Sequence, residues 1–573
     1  MRASGPENSV SINRRRLLIG AGRSGMALGA AAMATPAIAR TRLGDPEPSP
    51  LFKLGVASGD PTSRSVVLWT RLVEDPFAAD GGMNGKPTPV IVSVALDPGM
   101  RHVVRRGVQI AWPHNGYAIN VQVSGLPSNS WLYYQFHAPK LGARSRIGRT
   151  RTFPGRYDAA GELKLAFASC QNYEAGFYTA YRDMLAQEVD CVIHCGDYIY
   201  ENAGSSSPAI PGRVHQGDEI FSVADYRSRY AQYRLDPDLQ DMHANAPFLV
   251  TWDDHEVDNN FAGNIAEEGA PFEGAEFLER KHNALRAYRE TMPLRPWNRF
   301  FRGPELRIYR QLSFGSLANI YMLDTRQYRT DQPAEDGFGS TDMNAVLLEG
   351  PEGLNEKLFD EQITDPSATM LGKRQERWLS RRLHYSRARW NIMAQGIMVM
   401  RWNLAALGGG LVSDLLNVDA WDGYQAAQTR LLKLIAASGA QNPVVLTGDI
   451  HSSWGANLLS NYEDPASDAV AAEFVCTGIS SSFGGDARET DGLVRATLPA
   501  NPHIEYFEGK FRGYALCTVD LDSWTTEYRL LGESPSNPGS LLAFPDSPVS
   551  TAATLRLEAG FNVPGSGGRL QTL

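Results

Sequence analysis

From residue 163 onward the chain repeats one rhythm: an apolar run long enough for a strand, a polar turn, then a segment with helical spacing. The runs cover 163–168, 189–194, 248–252, 320–323, 392–394 and 444–447, with helical stretches over 175–187, 277–291 and 373–386. Runs that are continuously apolar fit strands covered on both faces. Strands alternating with helices predict an α/β layered domain, here given the span 156–530. This restricts where chemistry can sit, because ligands of open α/β sheets collect beyond the carboxyl ends of the strands.

The preceding region has a different texture. Short alternating runs at 65–71, 90–96 and 131–137, separated by Gly, Pro, Asn and Asp turns, predict a β-sandwich over 50–155 of the fibronectin III or immunoglobulin kind. The segment 40–49 reads as a linker. After Tyr528 the rhythm fades, and 531–573, with its Gly565-Ser-Gly-Gly run, is expected to be a C-terminal tail.

Residues 1–39 are expected to be an export signal. Asn13-Arg14-Arg15-Arg16-Leu17-Leu18 precedes a weakly apolar Gly/Ala stretch, and Ala37-Ile38-Ala39 offers a small-x-small cleavage site. Arg23 and Pro36 interrupt the stretch too early for a membrane span. The pattern is twin-arginine, which implies engagement of that export machinery in the folded state and a periplasmic or extracellular destination. Five cysteines exclude a disulfide scaffold. Cys191 and Cys195, on one strand, would lie about 13 Å apart and cannot bond to each other. Lys plus Arg number 55 against 64 for Asp plus Glu, and the resulting charge of −9 argues against a nucleic-acid partner. A monomer is expected.

Four apolar runs end in residues suited to metals: Ser169-Cys170, Gly196-Asp197-Tyr198-Ile199-Tyr200, Asp253-Asp254-His255-Glu256 and Gly448-Asp449-Ile450-His451. Hydrolysis of a phosphate ester needs a hydroxide generated near neutral pH and neutralisation of charge on the phosphoryl oxygens, which clustered cations supply. Thiolate and phenolate from Cys170 and Tyr200 favour ferric iron, while carboxylates from Asp197, Asp253, Asp254 and Asp449 suit calcium or magnesium. Asp449 and His451, two apart on a loop, can face one metal. His255 is the candidate proton donor to the leaving oxygen. Arg326 either clamps a phosphate oxygen or pairs with a structural carboxylate, and joins His255 as a catalytic candidate. Asn259 and Trp454 are the candidate substrate contacts, although Trp454, like Tyr424, fits a core position equally well. Glu256 and Asp258 read as braces of their loop. His194, inside its strand, reads as a satisfied core histidine.

These four motifs, with Leu54-Gly-Val-Ala-Ser-Gly-Asp60, Leu323-Asp-Thr-Arg326 and Trp421-Asp-Gly-Tyr424, resemble the PhoD-type alkaline phosphatases, relatives of the calcineurin-like and purple acid phosphatases. The resemblance covers nearly all of the chain after the signal. It implies a metallophosphoesterase domain with a β-sandwich core flanked by helices, and secreted, phosphate-scavenging hydrolysis of phosphomonoesters and phosphodiesters. A dedicated phosphodiesterase, phospholipase D-like on lipid headgroups or acting on teichoic acid, is the alternative. The resemblance also implies one ferric iron and two calcium ions. Asp197 then takes the place of the bridging carboxylate and Tyr200 that of the iron phenolate. Cys170 stands where related phosphoesterases carry an aspartate, Asp254 replaces an asparagine, and Asp449 replaces a histidine, which shifts the site toward oxygen ligands.

Overall fold

The computed structural model describes residues 48–573 except positions 79, 159, 209, 268, 296–305, 334–360, 404–416 and 484–486. The expected signal 1–39 and all but the last two residues of the expected linker lie outside the described residues.

The apolar runs of the second region fold as strands and divide between two sheets. The first sheet takes β9 (Leu163–Ala168), β10 (Cys191–His194) and β11 (Phe248–Val250), paired in parallel. The second takes β12 (Arg310–Phe314), β13 (Ala318–Met322), β14 (Trp390–Ala394) and β15 (Pro443–Thr447). In it β13, β14 and β15 are parallel, and β17 (Ala469–Val475), β16 (Ser453–Leu459) and β18 (Ile504–Glu508) complete the order β12-β13-β14-β15-β17-β16-β18. The sheets pack face to face through Leu165, Phe167, Ile193 and Leu249 on one side and Ile320, Ile392, Leu446 and Phe474 on the other.

Helices cover both outer faces. On the first sheet lie α1 (Ala180–Ala186), α2 (Val223–Arg234), α3 (Pro237–His243) and α4 (Gly274–Thr291), through Tyr181, Tyr230, Leu239 and Ala284 among others. On the second lie α5 (Gly372–His384) and α6 (Gln425–Ser438). The packing follows from sequence spacing: α5 buries Gln375, Leu379 and Leu383, each four apart, and turns its cations outward. A capping box fixes the start of α2, with Ser222 accepting from the Asp225 N–H and Asp225 accepting in return from Ser222. The helix expected over 175–187 is shorter. Tyr173–Ala175 forms a 3-10 turn, Gly176 is extended at φ 164°, and α1 starts at Ala180.

The N-terminal strands pack as two layers, with an independent core of Val66, Leu68, Val90, Val92, Tyr134 and Phe136. One layer contains β3 (Thr88–Ala95), β4 (Val103–Ala111) and β6 (Trp131–Ala138). The other layer is shared with the following region. Its strands β1 (Val56–Gly59), β2 (Ser65–Arg71) and β5 (Ala118–Ser124) continue the first sheet described above, because β1 pairs in parallel with β11 at Gly59 and Phe248.

The tail expected over 531–573 is corrected. β19 (Gly513–Val519), β20 (Ser523–Leu531), β21 (Val549–Glu558) and β22 (Gln571–Thr572) extend the same sheet, giving the order β22-β21-β20-β19-β9-β10-β11-β1-β2-β5. Leu555, Leu557, Phe561 and Leu570 are buried between the two sheets.

Candidate functional site

β9, β10 and β11 from the first sheet and β13, β14 and β15 from the second end at one rim of the double sheet, and the four ligand segments meet there. The backbone is locally strained at this rim. Cys170, Asp197, Asp449 and His451 adopt left-handed φ values of 57°, 54°, 65° and 57°. Such conformations cost on the order of 1–3 kcal/mol each in a non-glycine residue and collect where geometry serves function. Two glycines allow the approach. Gly196, at φ 119°, has no room for a Cβ against Asp253, and a Cβ on Gly396 would fall on the Asp253 carboxylate.

The ligand atoms of Cys170, Asp197 and His451 lie within 4.8 Å of one another. Tyr200 closes this group, its hydroxyl 3.2 Å from Asp197 Oδ2, 3.0 Å from His451 Nε2 and 2.8 Å from Ser481 Oγ. The carboxylates of Asp197, Asp253, Asp254 and Asp449 form a second group by the same criterion, so Asp197 belongs to both. The seven residues proposed from sequence as metal ligands are thus brought together.

Electrostatically the pocket is poised for cations. Burial raises the Cys170 thiol and the Tyr200 phenol well above their usual ranges, and the neighbouring Asp197 adds to both. Burial and then the adjacent Asp254 raise the Asp197 carboxyl, and burial pushes Asp449 up to about 7 against Arg326. Burial opposes charge on Asp254 too, but Arg326 and His255 hold it below the carboxylate range. Burial lowers His451 to about 3, keeping its imidazole neutral and fit to ligate. Asp197 Oδ1 is buried without a hydrogen-bond partner, and Asp254 Oδ1 has only a 3.3 Å ion pair to Arg326. Orphaned buried carboxylate oxygens are costly unless a cation completes them. The residues present therefore fit bound metal ions.

The catalytic candidates separate. His255 stands half-buried at the rim, stacked on Tyr200 with ring centres 4.1 Å apart, its Nδ1 2.7 Å from Glu201 Oε2. Burial works against its charge, yet Glu201 and Asp254 hold the imidazolium well above its ordinary range. Arg326 has no exposed surface. It grips both oxygens of Asp253 at 2.7 and 3.0 Å and reaches Asp254, Asp419 and Asp449. Of its two readings the structure takes the pairing with carboxylates.

Of the two proposed substrate contacts, Trp454 is corrected. Trp454 is fully buried beside Trp402 and Phe507, with its indole N–H given to Ser452, because as the second residue of β16 it faces the core rather than the rim. Tyr424 is also buried and donates to the Thr330 carbonyl. Asn259 stays partly exposed, its Nδ2 donating to Glu267 Oε1 at 2.7 Å. His194 is a core histidine but not a satisfied one: neither ring nitrogen has a partner. Glu256 braces two ligand segments, accepting from the N–H groups of Asp197, Tyr198 and Asp253 at 3.0, 2.7 and 2.7 Å.

Sequence reasoning missed Glu201, Ser481 and Asp419. Glu201 immediately follows Tyr200, and an acid flanking a ligand strand end was the available signal. Ser481 and Asp419 lie far from any ligand segment in sequence.

A family model described as PhoD-like phosphatase matches residues 165–528, and one for the N-terminal domain of PhoD-like phosphatases matches residues 37–154. The chain is similar to alkaline phosphatase D of Bacillus subtilis (strain 168), 40% identical over 525 residues that cover 91% of this chain and 85% of that protein. A solved structure of PhoD superposes with a TM-score of 0.78 at 38% identity, covering 92% of each chain. The match spans the N-terminal layers, both catalytic sheets and all four ligand segments: the chain belongs to the PhoD-like phosphatase family.

Proposed function

We propose that this protein is an exported, metal-dependent phosphoric ester hydrolase of the metallophosphoesterase type, acting on phosphomonoesters and phosphodiesters. One observation carries the metal reading: two buried donor groups share Asp197, one offering thiol, phenol and imidazole, the other four carboxylates. Cys170, Tyr200, His451 and Asp197 would hold ferric iron, and Asp197, Asp253, Asp254 and Asp449 would hold calcium. When bound, the ions supply a hydroxide near neutral pH and offset charge on the phosphoryl oxygens.

The chain's own residues divide the remaining work. His255, charged by Glu201 and half-open at the rim, protonates the leaving oxygen from Nε2, since Nδ1 is held by the carboxylate. Arg326 holds Asp253 in place from behind. Glu256 keeps the Asp197 and Asp253 turns in register. The Asn13-Arg14-Arg15-Arg16 motif supports export by the twin-arginine route. The relative's name, alkaline phosphatase D, favours this reading over a dedicated phosphodiesterase, and the complete donor set argues against a binding protein without catalysis.

The test is metal analysis of chelator-free protein beside turnover of p-nitrophenyl phosphate and bis-p-nitrophenyl phosphate. Iron and calcium in the wild type, with both turnovers lost in Cys170→Ala, Asp197→Asn and His451→Ala at unchanged secondary structure, are expected. Wild-type turnover in all three variants would refute the assignment.

A further inference from the structure

β11 carries Asp253, Asp254 and His255 at its exit, but it is only three residues long and is supported unevenly. On one side it pairs with β10 along its whole length. On the other, β1 meets it only where Gly59 lies opposite Phe248. There the backbones are so close that a Cβ on Gly59 would sit 2.6 Å from the Phe248 carbonyl oxygen. The Thr251 N–H donates to the His194 carbonyl on the β10 side, so in a strand's alternation the Val250 carbonyl points the other way, toward β1. β1 has ended by then. Asp60 turns the chain aside at a left-handed φ of 42°.

A guanidinium takes the place of the missing strand. Arg310, the first residue of β12 in the opposite sheet, donates from Nη1 to the carbonyls of Val250 and Ile308 at 3.0 Å each. Its Nε donates to Asp60 Oδ1 at 2.8 Å, and Asp60 Oδ2 accepts the Arg295 N–H at 3.0 Å. Asp60 is fully buried and Arg310 nearly so. Asp253 lies three positions beyond the held carbonyl. The N-terminal layer, β11 and the second sheet are thereby joined at one buried ion pair behind the ligand rim.

We propose that Asp60 is a positioning residue of the hydrolytic site: by orienting Arg310 it fixes the exit of β11 and hence the Asp253 and Asp254 carboxylates. The N-terminal domain is then a working part of the metal site rather than an accessory module. This rests on the metal-dependent reading above. Groups bonded directly to metal ligands typically change metal affinity or activity by about 10–100-fold, and Asp60, acting through Arg310 and the β11 backbone, should fall at the lower end of that range.

The experiment compares wild type with Asp60→Asn, Arg310→Lys and the double variant Asp60→Asn/Arg310→Met. Metal retention in a chelator titration is read beside kcat and KM for p-nitrophenyl phosphate. Asn tolerates the left-handed turn as Asp does, so the first variant removes charge with little change of shape. Expected are a roughly tenfold loss of metal retention and of kcat with KM near its original value. The double variant removes the unpaired buried charge but leaves the Val250 carbonyl unheld, so it stays impaired even where stability recovers. Wild-type retention and kcat in the double variant would reduce the pair to a fold-stabilising role and overturn the proposal, as would an Asp60→Asn enzyme indistinguishable from wild type. If Asp60→Asn does not fold, Arg310→Lys and the double variant decide on the same criteria. A wild type without metal or turnover would instead bring down the functional reading itself.

Discussion

Leu557 tests whether the last strands belong to the core. It lies on β21 opposite Trp524 of β20, has no exposed surface and faces the interior between the two sheets. Truncation to Ala removes three buried carbons and leaves a cavity that Trp524 and Leu555 cannot fill without moving. Buried Leu→Ala changes cost about 2–5 kcal/mol, and a site on an outer strand able to relax inward should fall near 3. Leu573 is 70% exposed, so Leu573→Ala should cost under about 0.5 kcal/mol. Urea unfolding followed by tryptophan fluorescence reads the difference. With a slope of roughly 3 kcal/mol per molar, Leu557→Ala should lower the midpoint by about 1 M while Leu573→Ala leaves it in place. Activity in the absence of urea should be unchanged in both, because neither residue approaches the ligand rim. Equal midpoints for the two variants would refute the argument that β21 seals the inter-sheet core.

Gly396→Ala should fold normally yet lose about 10–100-fold in turnover and in resistance to chelators, because the new methyl falls on the Asp253 carboxylate; wild-type kinetics would show that the carboxylate can move freely. Tyr200→Phe breaks the hydroxyl's contacts with Asp197, His451 and Ser481. Its purified form should lack any visible tyrosinate-to-iron absorption that wild type shows, and persistence of that band would exclude Tyr200 as its source. Burial lowers His194 to about 3, so between pH 6.5 and 3 the unfolded chain binds a proton that the folded chain refuses. The stability this residue contributes is full above pH 6.5 and falls with pH, by about 2 kcal/mol at pH 5. His194→Phe should flatten the decline in urea midpoint between pH 7 and 5, and parallel declines would contradict the assignment.

Legibility in the sequence followed how much of each signal is local. β2, β9 and β15 could be placed within a residue or so because their apolar runs are bounded by turn residues. The convergence of the candidate ligand segments was legible because each follows such a run, and a strand end fixes both location and direction. β21 was missed because its sequence, Val-Ser-Thr-Ala-Ala-Thr-Leu-Arg-Leu-Glu, mixes small and polar residues with no continuous apolar run: only Leu555 and Leu557 are buried, and β20 and β22 supply the rest of its environment. The union of β1 with β11 rests on a single paired position between residues 189 apart, made possible by Gly59. No periodicity encodes it. Trp454 was ambiguous for a related reason. The fully buried β16 has no period-two alternation to tell rim from core.

The place of β9 has a consequence for biogenesis. β9 leads directly to Cys170, and its neighbours are β10 on one side and β19 on the other. β10 is synthesised almost at once, but β19 follows Ala168 by about 350 residues, so one edge of the Cys170 strand stays unpaired until translation is nearly past residue 519. A nascent chain can therefore present Cys170, Asp197 and Asp253 long before it can hold them rigidly. Assembly of the centre is a late event, and an exposed edge in the interim is the stage at which the chain is most open to mispairing with a second copy.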